Sequence, residues 1–505
     1  MVYSFSPFGY EGSLVQVEVD LRRGIPSVDI VGLADGCVKE SRTRAIEAIK
    51  NSGFEFPQER VLIALSPADL KKEGKSFDLA IALAILAKSK EEKTLHSQDE
   101  KVLVIGELES NGSIRACRRI TAALQTAVEK GIKYAIVPEE GFTASAVPDG
   151  ILVAKAHDLA EAFNTLNHVD EDETHETYQN LIESQDKKKS KQDIVIEFDD
   201  EESKLDNIED HNGLKYAMAV AVAGGHHIIA YGTPGCGKTL VLSCMHELLP
   251  KLLENEKDIV KRIFSIAGIK DGSIESRQVR APHQSVTLES MCGGGASCPP
   301  GEISLAHNGV LFLDEAAEFR TSVLQMLRIP LENNMITLNR AGRHTTYPAS
   351  FQLAMTMNPC PCGNYGNKDK ICLCSEKSVE QYWMKVGGPL MAVFGIRYNC
   401  NKKDKCKHFT REELRAMIEK AWTVQYARQG KLNEKLNPEE IAKYVNISEA
   451  SKNLLNKYSV RETFEILKVA RTLADIKQDK PDNFVSEEYI EEALELFDEL
   501  PFEYE

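Results

Sequence analysis

The chain has 505 residues, of which 42% are hydrophobic and 27% charged, and its formal net charge is -16. This length predicts two to four domains, and the acidic balance excludes a uniformly basic nucleic-acid coat but not a local basic channel. The first residues, MVYSFSPFGYEG, lack the basic and apolar regions of a secretion signal. The longest apolar stretch, residues 77–87, contains Asp78 and is too short to span a bilayer. We therefore expect a cytoplasmic protein with no membrane partner.

Residues 1–165 have the pattern of a mixed α/β domain. SLVQVEVDL alternates as strands do, and CVKESRTRAIEAIKNSG indicates a helix with Gly53 beyond its end. KVLVIGEL and YAIVP are predicted strands, with a helical RRITAALQTAVEKG between them. Residues 166–204 are dense in charge and poor in aromatic residues, which predicts an acidic linker between two domains.

A second α/β domain is predicted over residues 205–404, and residues 405–505 have a helical pattern. HHIIAYG, GVLFLDEA and FQLAMTMNP are short segments that are apolar on both faces, as the strands of a buried parallel sheet are. TLVLSCMHELLPKLL is predicted to form one helix after the first of these strands. The predicted fold class is α/β and multidomain, with a parallel-sheet core and a helical C-terminal lid.

The window GTPGCGKT fits the phosphate-loop pattern G-x-x-x-x-G-K-[ST] and lies between a predicted strand and helix. Its backbone N–H groups and the start of the helix suit the phosphates of ATP. Lys238 is expected to reach the β- and γ-phosphates, and Thr239 to ligate Mg²⁺. The predicted nucleotide-binding residues are Gly232, Thr233, Pro234, Gly235, Cys236, Gly237, Lys238, Thr239 and Asp314.

Polar residues end the next two predicted strands. Asp314 is placed to hold Mg²⁺ together with Thr239, and Glu315 to orient or deprotonate the attacking water, although such an acidic pair can also be a solvated turn. Asn358 can hydrogen-bond the γ-phosphate or the water. This order of elements suggests the ATPase module called AAA+, in which Arg461 would sense the γ-phosphate from the lid. The alternative for Arg461 is a solvated arginine at the start of a helix.

Four cysteines cluster after Asn358, as two C-x-C pairs separated by nine residues. Four thiolates can form a closed tetrahedral zinc site, and clustered cysteines in a cytoplasmic chain favour metal over disulfides. The spacing also allows four unmetallated thiols. The candidate structural zinc ligands are Cys360, Cys362, Cys372 and Cys374.

Several long segments resemble the ComM/YifB family of magnesium-chelatase-like AAA+ ATPases. Among them are LSPADLKKEGKSFDLAIALAIL, RAPHQSVTLESMCGGGASCPPGEISLAHNGVLFLDEAAEF, LRIPLENNMITLNRAG and MNPCPCGNYG. The resemblance covers nearly the whole chain except the linker. It implies an N-terminal domain with the fold of the Lon protease domain, followed by AAA+ and helical domains. It also implies a homo-hexameric ring that drives branch migration of DNA in natural transformation.

The resemblance assigns roles to further residues. Ser76 stands near the position of the Lon nucleophile, but Thr121 stands where the lysine base belongs, so no peptidase activity is expected. Two inserts are expected to contact branched or single-stranded DNA. One is the glycine-rich MCGGGASCPPGE, and the other is a hairpin with Arg340 and Arg343 at its tip, where ordinary surface arginines are the alternative.

The chain departs from the family pattern in the segment GPLMAVFGIR, residues 388–397. Ala392 and Val393 replace the family's Asp-Arg pair, whose arginine resembles a finger that reaches the neighbouring subunit's γ-phosphate. Such an arginine contributes about 10³- to 10⁵-fold in rate, so ATPase activity depends on whether Arg397 or another arginine compensates. The leading hypothesis is a DNA-dependent ATPase ring with impaired hydrolysis. The alternatives are a non-hydrolysing DNA-binding scaffold and a metal-insertion chelatase.

Overall fold

A computed structural model gives the fold of most of the chain. It describes residues 1–68, 70, 72, 75–89, 100–117, 119–140, 142, 147–167, 196–200, 202–269, 274–340, 343–367, 370–404, 406–477 and 483–500. Most of the predicted acidic linker lies outside these residues. Its last residues contact the second α/β unit, because Ser203 and the Lys204 amide donate hydrogen bonds to the Glu247 carboxylate.

The N-terminal unit is built on a seven-stranded mixed sheet. Its elements are β1 Val2–Ser6, β2 Ser13–Arg22, β3 Ser27–Val31, α1 Gly36–Asn51, β4 Arg60–Ser66, α2 Asp78–Ser89, β5 Val102–Val104, β6 Glu107–Leu108, β7 Ile114–Arg115, α3 Ile120–Glu129, β8 Tyr134–Pro138, β9 Leu152–Ala156 and α4 Leu159–Asn167. The strand order is β3-β4-β2-β1-β5-β8-β9. KVLVIGEL, predicted as one strand, forms β5 and β6 in different sheets. The chain turns at Gly106, where a Cβ would lie 2.8 Å from the Leu79 side chain.

The second unit is built on a five-stranded parallel sheet of order β11-β12-β15-β10-β16. Its elements are α5 Asn212–Gly224, β10 Ile228–Tyr231, α6 Lys238–Leu242, α7 Glu254–Ala267, β11 Val279–Arg280, α8 Leu288–Cys292, α9 Glu302–Leu305, β12 Val310–Leu313, α10 Thr321–Met326, α11 Arg328–Asn333, β13 Met335–Arg340, β14 Arg343–Pro348, β15 Gln352–Met357, α12 Glu376–Met384, α13 Gly388–Met391 and β16 Ile396–Asn399. Every residue of β10, β12 and β15 is buried, as predicted for a parallel sheet.

The helix after the glycine-rich loop is shorter than predicted. It is α-helical only over Lys238–Leu242 and continues as a 3₁₀ helix over Ser243–Leu248. Leu249 is extended, because the ring of Pro250 disfavours a helical conformation in the residue before it.

The C-terminal region is helical and packs against α5. Its helices are α14 Arg411–Gln429, α15 Pro438–Tyr444, α16 Glu449–Leu455, α17 Val460–Lys477 and α18 Glu487–Glu495. The Trp422 indole donates to the Val222 carbonyl (3.1 Å), and the Gln425 amide to the Ala223 carbonyl (2.9 Å), at the C-terminal end of α5. Across the described ranges, no helix is long and apolar enough to cross a membrane.

The N-terminal unit docks on the second unit through the loop between β1 and β2. The guanidinium of Arg262, in α7, donates to the carbonyls of Tyr10 and Glu11 and to the Glu129 carboxylate. The Thr345 hydroxyl, in β14, accepts from the Tyr10 amide (2.8 Å) and donates to Glu11 (2.7 Å). Apolar residues of both units also belong to one continuous buried cluster.

Candidate functional site

The glycine-rich loop joins β10 to α6 and depends on glycine at the turn. Gly237 precedes the helix with a left-handed φ of +76°, and a Cβ there would lie 2.4 Å from the His211 ring. Gly235 also has a positive φ, of +83°. The loop therefore closes tightly over the carboxyl end of β10, which leaves the N-terminus of α6 at that edge of the parallel sheet.

Lys238 is the buried cation of this loop, with 6% of its surface exposed. Its ammonium donates to the carbonyls of Gly232 (2.7 Å) and Thr233 (3.0 Å) and to the Asn358 side-chain oxygen (3.3 Å). Asn358 follows β15, the neighbour of β10 in the sheet. The structure thus brings Lys238 and Asn358, two of the predicted site residues, into contact.

Asp314 lies on the same edge, after β12. One of its oxygens accepts hydrogen bonds from the hydroxyls of Thr239 (2.7 Å) and Thr356 (2.6 Å). The predicted pair of Mg²⁺ ligands, Thr239 and Asp314, is therefore in direct contact. A hydroxyl and a carboxylate are oxygen donors of the kind that Mg²⁺ prefers, so these residues fit the ion.

Glu315 is held in a strained conformation beside Asp314. Its φ of +52° is left-handed, which is uncommon for a residue other than glycine and concentrates at functional positions. Its amide donates to the Thr356 hydroxyl (2.8 Å), and its carboxylate accepts from the Gln284 side chain (3.1 Å). The first contact holds the backbone of Glu315, and the second holds its carboxylate.

Two residues that shape the site, Thr356 and Asn401, were not predicted. Thr356 connects Asp314 and Glu315, and its signal is a polar side chain inside the apolar strand LAMTM. Gln284 holds Glu315 from a loop far from it in sequence, and Asn401 accepts from the amide and hydroxyl of Thr233, both at 3.0 Å. No local pattern marks Asn401, because its role depends on long-range packing.

Arg461 is not brought to the loop. It is the second residue of α17, and its guanidinium lies 3.7 Å from the Glu332 carboxylate of α11. Burial lowers the pKa of His227, and the charge of Arg461 adds a smaller effect in the same direction. His227 precedes β10, whereas the glycine-rich loop follows it. Arg461 is thus on the opposite edge of the sheet from Lys238 in the same chain, roughly one strand length away.

The segment GPLMAVFGIR offers no mobile arginine. Val393 is buried in the core. Arg397, in β16, is 6% exposed, forms an ion pair with Glu462 (2.9 Å) and stacks on the Phe497 ring, 3.9 Å from its centroid. In this conformation the Arg397 side chain contacts residues of its own chain.

The four clustered cysteines converge in space. Their sulfurs all lie within 4.8 Å of one another, and three of the separations are 3.4, 3.6 and 3.7 Å. A tetrahedral site with Zn–S bonds of about 2.3 Å places its sulfurs about 3.8 Å apart, so the donor set fits zinc. Hydrogen bonds, first from the Asn364 backbone and then from Cys360, lower the pKa of Cys362 to about 6.

The predicted basic hairpin is present as β13 and β14, with Arg340 opposite Arg343 in the register. Arg340 is exposed. Arg343 instead places its guanidinium 3.5 Å from the centroid of the Phe8 ring, in the N-terminal unit. The two arginines therefore have different surroundings, which the sequence did not indicate.

Ser76 and Thr121 are in the N-terminal unit. The Ser76 hydroxyl donates to the Phe5 carbonyl (3.3 Å), and Thr121 is buried, with 3% of its surface exposed. The nearby Lys72 and Lys75 are engaged with the Pro67 carbonyl and the Glu107 carboxylate. None of these contacts gives Ser76 a lysine base.

Strand, glycine-rich loop and helix have the geometry of the phosphate-loop class of proteins. The comparisons with known proteins narrow this class. The family described as magnesium chelatase, subunit ChlI, matches residues 204–408, and two further ChlI family descriptions match residues 17–141 and 409–496. The chain belongs to the ComM/YifB family of magnesium-chelatase-like proteins.

Two relatives match over almost their full lengths. The protein YifB of Escherichia coli is 33% identical in an alignment of 511 positions, and this alignment covers 98% of this chain and 96% of YifB. The competence protein ComM of Haemophilus influenzae is 32% identical in an alignment of 517 positions. This alignment covers 98% of this chain and 96% of ComM.

Proposed function

We propose that the chain is an ATP-binding AAA+ protein that assembles into a homo-hexameric ring and acts on DNA. The observation that carries this proposal is the joining of Lys238 to Asn358 and of Thr239 to Asp314 at one edge of a parallel sheet. The similarity to a protein named for competence supports a role in DNA uptake or recombination. We place the protein in the cytoplasm.

In this proposal the chain has four parts. Residues 1–165 form a Lon-like domain without peptidase activity, residues 166–204 a linker, residues 205–404 the AAA+ core and residues 405–505 the helical lid. Among the residues that the structure describes, the Ser76 hydroxyl donates to the Phe5 carbonyl and not to a lysine, which supports the loss of peptidase chemistry.

The residues have distinct roles at the nucleotide. The loop amides and Lys238 bind the phosphates, and Thr239 and Asp314 hold Mg²⁺, which neutralises charge on the phosphate oxygens. Glu315 orients the attacking water, and Asn358 hydrogen-bonds the γ-phosphate or that water. Since Arg461 lies at the far edge of its own sheet, its γ-phosphate contact requires the site of a neighbouring subunit.

Hydrolysis is proposed to be slow. A buried valine at position 393 supplies no charge to the transition state, and Arg397 is held by Glu462 and Phe497. These observations also favour the second candidate function, a DNA-binding scaffold that responds to ATP binding without turnover.

For DNA, we propose that the hairpin tip tracks the phosphate backbone. Arg340 is exposed and suits this contact, whereas Arg343 must leave the Phe8 ring to take part. The four cysteines are proposed to hold a structural zinc ion next to Asn358.

The test compares ATP binding, ATP turnover and movement of a branched DNA substrate by purified protein. We expect Lys238→Ala to weaken ATP binding about 10- to 100-fold, since a charged hydrogen bond contributes about 1.5–3 kcal/mol. Lys452→Ala, at a surface ion pair with Glu449, is the matched control. Slow turnover with fork movement supports the motor, and ATP-dependent DNA binding without fork movement supports the scaffold. Brisk DNA-stimulated turnover that Lys238→Ala abolishes would exclude impaired hydrolysis.

A further inference from the structure

Two cysteines meet behind the glycine-rich loop. Cys236 is in the loop itself, and Cys400 directly follows β16, the strand beside β10. The Cys400 amide donates to the Tyr231 carbonyl (2.8 Å), which fastens the end of β16 to the start of the loop. Both cysteines are reduced and half-buried.

Gly232 shows how closely the two side chains approach. A Cβ at this position would lie 2.9 Å from the Cys236 sulfur and 3.0 Å from the Cys400 Cβ. The side chains of Cys236 and Cys400 therefore both pack against the Cα of Gly232.

We propose that Cys236 and Cys400 are a thiol pair that a peroxide converts into an intramolecular disulfide, which makes the phosphate loop sensitive to oxidants. The pair is separate from the four clustered cysteines. The disulfide itself does not depend on the proposed function, but its effect on ATP binding does.

The electrostatic surroundings favour Cys236 as the attacking thiol. Its hydrogen bond with Cys400, and then the charge of Lys238, lower the pKa of Cys236 to about 6, while the same hydrogen bond raises the pKa of Cys400. The Lys238 ammonium is 3.7 Å from the Cys236 sulfur. A thiolate with a nearby cation is the reactive form of cysteine.

The reaction has two steps. The Cys236 thiolate attacks one peroxide oxygen, so an S–O bond forms, the O–O bond breaks, and hydroxide leaves and is protonated to water. The Cys400 sulfur then attacks the Cys236 sulfur, so the S–S bond forms and the S–O bond breaks. The second hydroxide takes the Cys400 proton, and hydrogen peroxide is reduced to two waters as the two thiols are oxidised.

The disulfide must alter the loop. An S–S bond is about 2.05 Å long, much shorter than a non-bonded contact between two sulfurs, so its formation draws Cys236 towards β16. Cys236 lies between Gly235 and Gly237, whose amides are predicted to bind phosphate. Displacing these donors lowers ATP affinity, and by linkage bound ATP opposes disulfide formation.

The experiment treats the full chain with hydrogen peroxide and maps its peptides by mass spectrometry. We expect a dithiothreitol-sensitive cross-link between the peptides of Cys236 and Cys400, and at least a tenfold loss of ATP affinity that dithiothreitol reverses. Cys400→Ser should bind ATP normally and resist this loss, and its Cys236 should be labelled by dimedone as a sulfenic acid. Cys406→Ser, outside the pair, should behave as the unmodified chain does.

Two results would overturn the inference. One is the absence of the cross-link under peroxide doses that oxidise the clustered cysteines, and the other is an equal loss of ATP affinity in Cys400→Ser. If the reduced chain does not bind ATP, the proposed function fails, and the cross-link alone decides whether the thiol pair exists.

Discussion

Arg397 is the arginine nearest in sequence to the position of Val393, and its contacts indicate a structural role. It pairs with Glu462 and stacks on Phe497 while almost wholly buried. We expect Arg397→Met to lower the free energy of unfolding by about 3 kcal/mol, because it leaves Glu462 without its cation. Chemical denaturation measures this loss, and adding Glu462→Gln should restore part of it.

The same variant separates structure from catalysis. If Arg397 contacts only its own chain, the ATP turnover of folded Arg397→Met follows that of the unmodified protein. A large fall in turnover with unchanged stability would show instead that Arg397 reaches a nucleotide.

His307 makes the folding stability of the protein decrease as the pH falls. Its Nδ1 accepts a hydrogen bond from the Ser350 amide (3.0 Å), and burial lowers its pKa to about 3 from the ordinary 6.5. In the folded state the ring therefore stays neutral, whereas the unfolded chain binds a proton below pH 6.5. The stability that His307 contributes is complete above pH 6.5 and is lost as the pH falls from there towards 3.

The slope of stability against pH tests this assignment. His307 should contribute up to about 1.4 kcal/mol per pH unit below pH 6.5. His307→Asn keeps a hydrogen-bond acceptor but not the titration, so unfolding measured from pH 7 to pH 5 should show a shallower slope. His344→Asn, at an exposed position of β14, should keep the full slope. Identical slopes for His307→Asn and the unmodified protein would contradict the assignment.

At the scale of elements, the cysteine cluster follows β15 and supports the segment before α12. Cys360 is buried, and the Trp383 indole of α12 donates to the neighbouring Pro359 carbonyl (3.0 Å). Zinc at the four sulfurs would tie residues 360–374 to the end of β15, which carries Asn358. We therefore expect one zinc ion per chain by elemental analysis.

Removing the metal should loosen this element. A chelator, or Cys372→Ser, is expected to lower the zinc content and the melting temperature together, because metal binding and local folding are coupled. Cys406→Ser is the matched control, since Cys406 is exposed and outside the cluster. Metal-free protein whose melting temperature does not respond to a chelator would show that the thiols are unmetallated.

The limits of sequence-based prediction are also visible at this scale. Lys238, Asp314 and Asn358 could be predicted to meet because parallel strands place their carboxyl ends at one edge of a sheet. The 3₁₀ helix after Leu242 was not predicted from the apolar pattern, since that pattern does not include the restraint from Pro250. Arg461 and Arg343 lie where the docking of α17 and of the N-terminal unit places them, and no local pattern encodes these long-range contacts.

At the scale of the whole molecule, the docking of the N-terminal unit involves the proposed DNA hairpin directly. Arg262 bonds to the loop between β1 and β2, and Thr345 of the hairpin bonds to the same loop. The Phe8 ring of that loop lies against Arg343. Movement of the hairpin therefore requires an adjustment of the contact between the two units.

Substitution of Arg262 tests how strongly the N-terminal unit and the second unit are coupled. It is 4% exposed, donates to Glu129 (2.6 Å) and Thr126 (3.1 Å) in α3, and lies 4.5 Å from the centroid of the Tyr10 ring. We expect Arg262→Met to weaken the interface by about 3 kcal/mol, since removing one partner leaves buried polar groups unpaired. Differential scanning calorimetry should then resolve two transitions where the unmodified chain unfolds more cooperatively. Arg22→Met, at an exposed pair with Asp20, should leave the profile unchanged, and an equally unchanged profile for Arg262→Met would mean that the shared apolar cluster alone couples the units.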